Sequence, residues 1–198
     1  MKRTPDLEMA QRRMRPGAIT RDGLLGGDPR SLGEILDDDQ AEVQRLGLTH
    51  ALIAARLREL RDTGAAGLGL AVPVPPHFEV TVEGARGVLP CPFDHPGMVG
   101  KATVTVRNTR LDEQVRYTDL NIHLIGEHGF YLGRGSAFRL DPGRLARVLQ
   151  PGRGDEPPAG RGSSPFLALE RRKVRETGAV TLLRSLLREL LLPDGVRL

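Results

Sequence analysis

The residues of this chain whose side chains could do chemistry are concentrated between positions 91 and 128. The segment PCPFDHPG contains Cys91 and His95, which are separated by three residues. After 27 further residues come His123 and His128, which are separated by four residues. Thiolates and imidazoles are the donors that zinc and related divalent ions take in proteins. The spacing therefore predicts a metal site built from these four residues.

Two carboxylates accompany the histidines and extend the predicted chemistry. A metal ion with an open coordination position activates a water molecule, and Glu127 or Asp119 could act as its general base. A metal-free alternative is a histidine acid/base, His123, oriented by Asp119. Either arrangement predicts a hydrolase or lyase that acts on a small substrate. The candidate catalytic residues are Asp119, His123, Glu127 and His128.

The turn that follows, Gly-Arg-Gly-Ser at 133–136, suggests an anionic ligand. Its backbone N–H groups could approach an anion, and Arg134 and Arg139 could bind a phosphate or carboxylate in bidentate fashion. The turn lacks the Lys-Ser/Thr ending of a P-loop and is more typical of a tight connection between two short strands. The candidate ligand-binding residues are Asn121, Arg134, Ser136 and Arg139.

A β-strand is the element expected to carry most of these groups. Between residues 115 and 125 apolar and polar side chains alternate, which is typical of a strand with one buried and one solvated face. The loop at 91–95, stiffened by prolines on either side, would have to reach the polar face of that strand. The polar row consists of Tyr117, Asp119, Asn121 and His123.

The rest of the chain predicts an α+β fold. Alternating segments at 78–83 and 102–107 predict a small, mainly antiparallel sheet within 77–140. A capping-box pair, Ser31 and Glu34, begins a helical hairpin at 31–63. An amphipathic C-terminal helix is expected to pack on the sheet. The expected organisation is a flexible basic arm at 1–30, an α+β domain at 31–149, a Gly/Pro-rich linker at 150–164 and a helical segment at 165–198.

The composition leaves two other functional classes open. The net charge is +4, yet only three of the 29 basic residues are lysine, a bias that a GC-rich genome also produces. Arginines in the basic arm and recurring Gly-Arg-Gly triplets are compatible with a nucleic-acid- or ribosome-associated protein. A scaffold protein that self-associates through the C-terminal helix is the other alternative. The residues that would mediate this contact are Leu183, Leu187 and Leu190.

Compartment is predicted from cysteine use and hydropathy. Cys91 is the single cysteine, which excludes an intramolecular disulfide framework. No segment approaches the roughly 18 apolar residues that a transmembrane helix needs. The sequence therefore predicts a cytoplasmic protein without a membrane partner.

Overall fold

The computed structural model describes residues 4–151 of the chain and confirms the α+β class. The predicted linker and C-terminal helix lie almost entirely outside the described residues, so they stay predictions. The helices are α1 (Pro5–Arg13), α2 (Leu32–Arg45), α3 (His50–Ala65), α4 (Asp119–His128) and α5 (Pro142–Leu149). The strands are β1 (Val72–Val74), β2 (Phe78–Glu83), β3 (Val88–Pro90), β4 (Met98–Gly100), β5 (Thr103–Asn108) and β6 (Glu113–Thr118).

The main sheet has one buried and one more exposed face, as the alternation predicts. Its four strands run antiparallel in the order β1-β2-β5-β6. Helix α3 packs closely on the buried face at Gly64, where a Cβ atom would lie 2.9 Å from Val82 and closer still to Val80. The other buried apolar side chains of this face are Phe78, Val104, Val106, Val115 and Tyr117.

The helical hairpin forms as predicted, and its two caps explain where each helix begins. At the start of α2, the Ser31 side chain accepts a hydrogen bond from the Glu34 N–H, and the Glu34 carboxylate accepts one from the Ser31 N–H. Thr49 caps α3 through the N–H of Leu52. Each cap satisfies N–H groups that have no partner within the helix, which fixes the residue at which that helix begins.

The strand predicted to continue to Ile125 ends at Thr118, and residues 119–128 form helix α4 instead. A capping box starts the helix: Thr118 Oγ1 accepts from the Asn121 N–H, and Asn121 Oδ1 accepts from the Thr118 N–H. The period-2 pattern misleads because α4 is buried on two sides. Ile122 and Ile125 belong to one hydrophobic cluster, and residues 120 and 124 belong to another. A helix covered on both sides carries apolar residues at spacings that imitate a strand.

Two consequences correct the predicted sheet. The described residues after Thr118 contain no strand, so the sheet does not reach residue 140. Tyr117 lies on the buried face of β6, where its hydroxyl donates to the Leu57 carbonyl at 2.8 Å. The expected row of Tyr117, Asp119, Asn121 and His123 on one sheet face is therefore wrong.

The prediction of a flexible arm at 1–30 is also wrong for residues 4–30. Thr4 caps α1, and Ala10, Met14 and Leu24 are buried in the same cluster as Leu124 of α4. These apolar residues are widely spaced among arginines, which hides their contribution to the core. Among residues 4–151, no helix has the length and apolar content that crossing a membrane requires.

Candidate metal centre

The segment PCPFDHPG forms the loop of a second, two-stranded sheet. Strands β3 and β4 pair in antiparallel register, and the loop at 91–97 connects them. Within the loop the Asp94 N–H donates to the Cys91 carbonyl at 3.2 Å. The Asp94 carboxylate also pairs with Arg13 of α1 at 3.0 Å, so the N-terminal helix holds the loop. Cys91 is 4% exposed, while the neighbouring His95 is exposed.

The loop meets α4 at the two predicted histidines. Donor atoms of Cys91, His123 and His128 all lie within 4.8 Å of one another. The shortest of these contacts joins Cys91 Sγ to His128 Nε2 at 3.2 Å. Five positions on a helix rotate a side chain by about 140°. Although both histidines belong to one helix, their ring centres are 5.5 Å apart, so no turn at 126–129 is needed to bring them together.

His95 lies beside this group but is not a member of it. Its ring centre is 5.1 Å from that of His123 and 5.7 Å from that of His128, and the centres of His123 and His128 are 5.5 Å apart. In this structure the His95 ring stacks on His123 with an interplanar angle of 18°. The loop brings the fourth predicted ligand to the site's exposed side.

The aromatic ring of Phe93 holds His128 in place. The two rings stack with centres 4.2 Å apart and 15° between their planes, and Phe130 contacts Phe93 edge-on. Sequence reasoning missed Phe93, because an aromatic residue in a loop is most often a packing residue. Its position midway between Cys91 and His95 is the one signal that could have identified it.

Burial keeps both helix histidines neutral. Desolvation, followed by the nearby charges of His123 and His95, lowers the pKa of His128 to about 4. Desolvation also lowers the pKa of His123, and the charge of His95 acts in the same direction. Neutral imidazoles have a lone pair available for a metal ion. Both residues are therefore in the protonation state that metal binding needs at neutral pH.

One polar atom of the site has no partner in the structure. The Nε2 atom of His123 is buried and makes no hydrogen bond. A buried polar atom without a partner is costly, and such atoms are uncommon in native proteins. A metal ion bound at this atom would provide the missing interaction.

The two candidate carboxylates have different surroundings. Asp119 Oδ2 accepts from the Ala102 N–H at 2.9 Å, and Oδ1 lies 3.7 Å from Arg61 Nε. Asp119 therefore connects the start of α4 to the segment before β5. Glu127 is exposed, and its charge acts on both His123 and His128 in the direction that raises their pKa values. Of these two carboxylates, Glu127 is the one that makes no hydrogen bond to the backbone among the described residues.

The predicted anion-binding residues serve the fold in this structure. Asn121 is 1% exposed and, besides its role in the cap, donates to the Phe138 carbonyl at 3.0 Å. Arg139 binds Asp39 and the Leu132 carbonyl, each at 2.6 Å. The remaining two residues lie in the 133–136 turn, where the Arg134 N–H donates to Asp28 and the Ser136 N–H to the Gly133 carbonyl. The structure does not gather these four residues into one anion site.

Comparison with known proteins adds no relative from which a function could be transferred. No protein-family model, curated protein or solved structure matches this chain. The chemistry of the Cys91, His123 and His128 cluster is therefore the basis for a functional hypothesis.

Proposed function

We propose that this protein binds one zinc ion through Cys91, His123 and His128. The observation that carries the proposal is the mutual approach of their donor atoms to within 4.8 Å. Zinc bonds of about 2.0–2.3 Å in tetrahedral geometry put neighbouring donor atoms roughly 3.5 Å apart. The 3.2 Å contact between Cys91 Sγ and His128 Nε2 is already at that separation. Closing the site around an ion thus needs side-chain shifts of only about 1 Å.

The chemistry of the three donors favours zinc over magnesium or calcium. One thiolate and two imidazoles suit a borderline-soft ion, whereas magnesium and calcium select oxygen donors. The unpartnered Nε2 atom of His123 gives an independent reason for an ion at this position. Stacking of Phe93 on His128 limits the rotations of that ring, which lowers the entropic cost of forming the site.

Three protein ligands leave a fourth coordination position, which is the pattern of catalytic zinc sites. A water molecule in that position would have its pKa lowered toward about 7 and become a nucleophile. His95 and Glu127 are the titratable side chains next to the cluster on its exposed side. Under this proposal Glu127 accepts the proton of the water, and the reaction is hydrolysis of a small substrate.

Metal content and coordination together test the binding step. Tag-free protein reconstituted with zinc is expected to retain one equivalent after dialysis, measured by mass spectrometry of the metal. Cobalt substitution is expected to give the thiolate-to-metal charge-transfer band, and Cys91→Ser should abolish that band. His128→Ala should lower metal retention, whereas His77→Ala, a histidine outside the cluster, should not. Wild-type protein without retained metal would contradict the proposal.

The 3.2 Å contact between Cys91 and His128 supports a second candidate, a metal-free nucleophile and base. In that arrangement His128 takes the thiol proton and Cys91 attacks an electrophilic substrate. Alkylation of Cys91 by iodoacetamide separates the two candidates. The zinc proposal expects slow alkylation in the zinc-loaded protein and faster alkylation after chelation. Equal rates with and without zinc, together with esterase activity in chelator, would favour the metal-free pair.

A further inference from the structure

A cavity of about 170 Å³ lies away from the cysteine and histidines of the proposed metal centre. Its walls come from the segment at 20–24, the β3–β4 hairpin, the start of α4 and the segment at 132–138. None of Cys91, His123 and His128 lines it. The apolar part of the lining consists of Leu24, Leu89, Leu120, Leu132 and Phe138.

The size and lining of the cavity define the kind of molecule that fits. Engineered apolar cavities of about 150 Å³, lined by similar side chains, bind benzene. The present cavity is of that size. A small ring or a short branched chain would therefore fill it, whereas a nucleotide or a peptide would not.

Two polar groups in the walls lack partners. The Oγ1 atom of Thr20 is buried and makes no hydrogen bond, although a buried hydroxyl normally has one. Lys101 also lines the cavity and forms no ion pair among the residues that the structure describes. The nearby carboxylate of Asp119 is already bound to the Ala102 N–H. Among the described residues the Lys101 ammonium is thus available to an anion, and the Thr20 hydroxyl would reach it after rotation of the side chain toward the cavity.

The position of α4 adds to this preference. Thr118, Leu120 and Asn121, which form the cap and first turn of the helix, line the cavity. The N-terminal end of a helix carries a partial positive charge that favours anions. An apolar chamber with a donor hydroxyl, an ammonium group and a helix N-terminus in its walls is complementary to a molecule with an apolar body and one carboxylate.

We propose that this cavity binds a small apolar carboxylic acid in its ionised form. The apolar body lies among the leucines and Phe138. The carboxylate accepts a hydrogen bond from the Thr20 hydroxyl and pairs with the Lys101 ammonium. Because the cavity shares no residue with the proposed metal ligands, this binding does not depend on zinc.

Calorimetric titration with benzoate tests the proposal. A chelator is present so that benzoate cannot bind to zinc at the proposed metal centre. Benzyl alcohol is the matched neutral probe. The proposal expects benzoate to bind the wild-type protein at least tenfold more tightly than benzyl alcohol, because a charge-assisted contact adds to the shared apolar burial. Lys101→Met, which keeps the aliphatic stem, should remove most of that preference. Thr20→Val should weaken the binding of benzoate and leave the binding of benzyl alcohol unchanged.

Three results would overturn the proposal. The first is an absence of benzoate binding to folded wild-type protein at millimolar concentration. The second is equal binding of both probes, unchanged in Lys101→Met. Leu89→Trp fills the cavity from the hairpin, and persistent benzoate binding in this variant would locate the site elsewhere and equally overturn it. Amide chemical shifts identify folded variants and should move at residues 20, 101 and 120 in the wild type.

Discussion

Replacement of Asn121 by alanine tests why residues 119–128 form a helix. Asn121 Oδ1 accepts from the Thr118 N–H at 3.0 Å and from Thr118 Oγ1 at 2.8 Å. Its Nδ2 group donates to the Phe138 carbonyl at 3.0 Å, and the residue is 1% exposed. The side chain thus connects the end of β6, the start of α4 and the segment that follows the helix.

The expected loss follows from these contacts. Each intramolecular hydrogen bond contributes about 1 kcal/mol net, and buried partners left without a bond add to the cost of losing it. Three bonds in a site with almost no access to water therefore correspond to about 3 kcal/mol for Asn121→Ala. Thr118→Ser keeps the capping hydroxyl and is expected to cost less than about 1 kcal/mol.

Urea unfolding of metal-free protein, followed by far-ultraviolet circular dichroism, measures both free energies. Chelator is included so that zinc does not contribute to the stability of either variant. A loss below about 1 kcal/mol for Asn121→Ala would refute the reasoning, because the capping box would then not account for the helix. A loss for Thr118→Ser as large as that for Asn121→Ala would also contradict it.

Three further changes give expected outcomes at other positions. Tyr117→Phe removes the buried hydrogen bond to the Leu57 carbonyl and should lower the free energy of unfolding by about 1 kcal/mol in the same urea assay. Gly129→Ala places a side chain at φ +63°, so a loss of about 1–2 kcal/mol is expected, and an unchanged unfolding midpoint would contradict this reason. Hydrogen bonds from Arg30 hold the pKa of Asp28 well below its usual range, so this carboxylate stabilises the fold above about pH 4 and less as the pH falls further. Asp28→Asn should therefore be less stable than the wild type by about 2 kcal/mol at pH 7, and thermal unfolding measured against pH should show that the difference shrinks in acid.

The sheet and the helical hairpin could be predicted because each has one buried face. Both were predicted from local signals: the alternation at residues 78–83 and 102–107 for the strands, and the Ser31–Glu34 cap for the first helix of the hairpin. The structure contains these elements. Helix α4 could not be recognised in the same way. Its two sides pack against different hydrophobic clusters, so the helical period is not visible in its apolar residues. The Thr118–Asn121 pair was the one local signal of its start.

The N-terminal helix illustrates a second limit of sequence reasoning. A segment rich in arginine is expected to be exposed to solvent. A few of its apolar side chains, such as Met14, nevertheless pack in the same hydrophobic cluster as residues of α4. Arg13 pairs with Asp94 and Arg30 with Asp28, so part of the arm's positive charge is neutralised within the fold. The nucleic-acid and scaffold alternatives stay predictions, and the second of them depends on residues outside those described.

The candidate site was predicted in part. Cys91, His123 and His128 were named as ligands from residue type and spacing, and their donor atoms lie together. Their geometry was not predictable, because it depends on the β3–β4 hairpin folding its loop against a helix. The roles of the two carboxylates could not be predicted for the same reason. Residues 119–128 form a helix and not the predicted strand, and at its start Asp119 accepts a hydrogen bond from the Ala102 N–H.

X-ray absorption at the zinc edge tests the central claim most directly, since it counts the ligands of the bound ion. For zinc-reconstituted wild-type protein, the account predicts one sulfur at about 2.3 Å together with nitrogen or oxygen ligands at about 2.0–2.1 Å. In Cys91→Ser the sulfur contribution should disappear, and in His123→Ala the imidazole scattering should decrease. A wild-type spectrum with oxygen and nitrogen ligands alone, identical to that of Cys91→Ser, would contradict the assignment of Cys91, His123 and His128 as a zinc site.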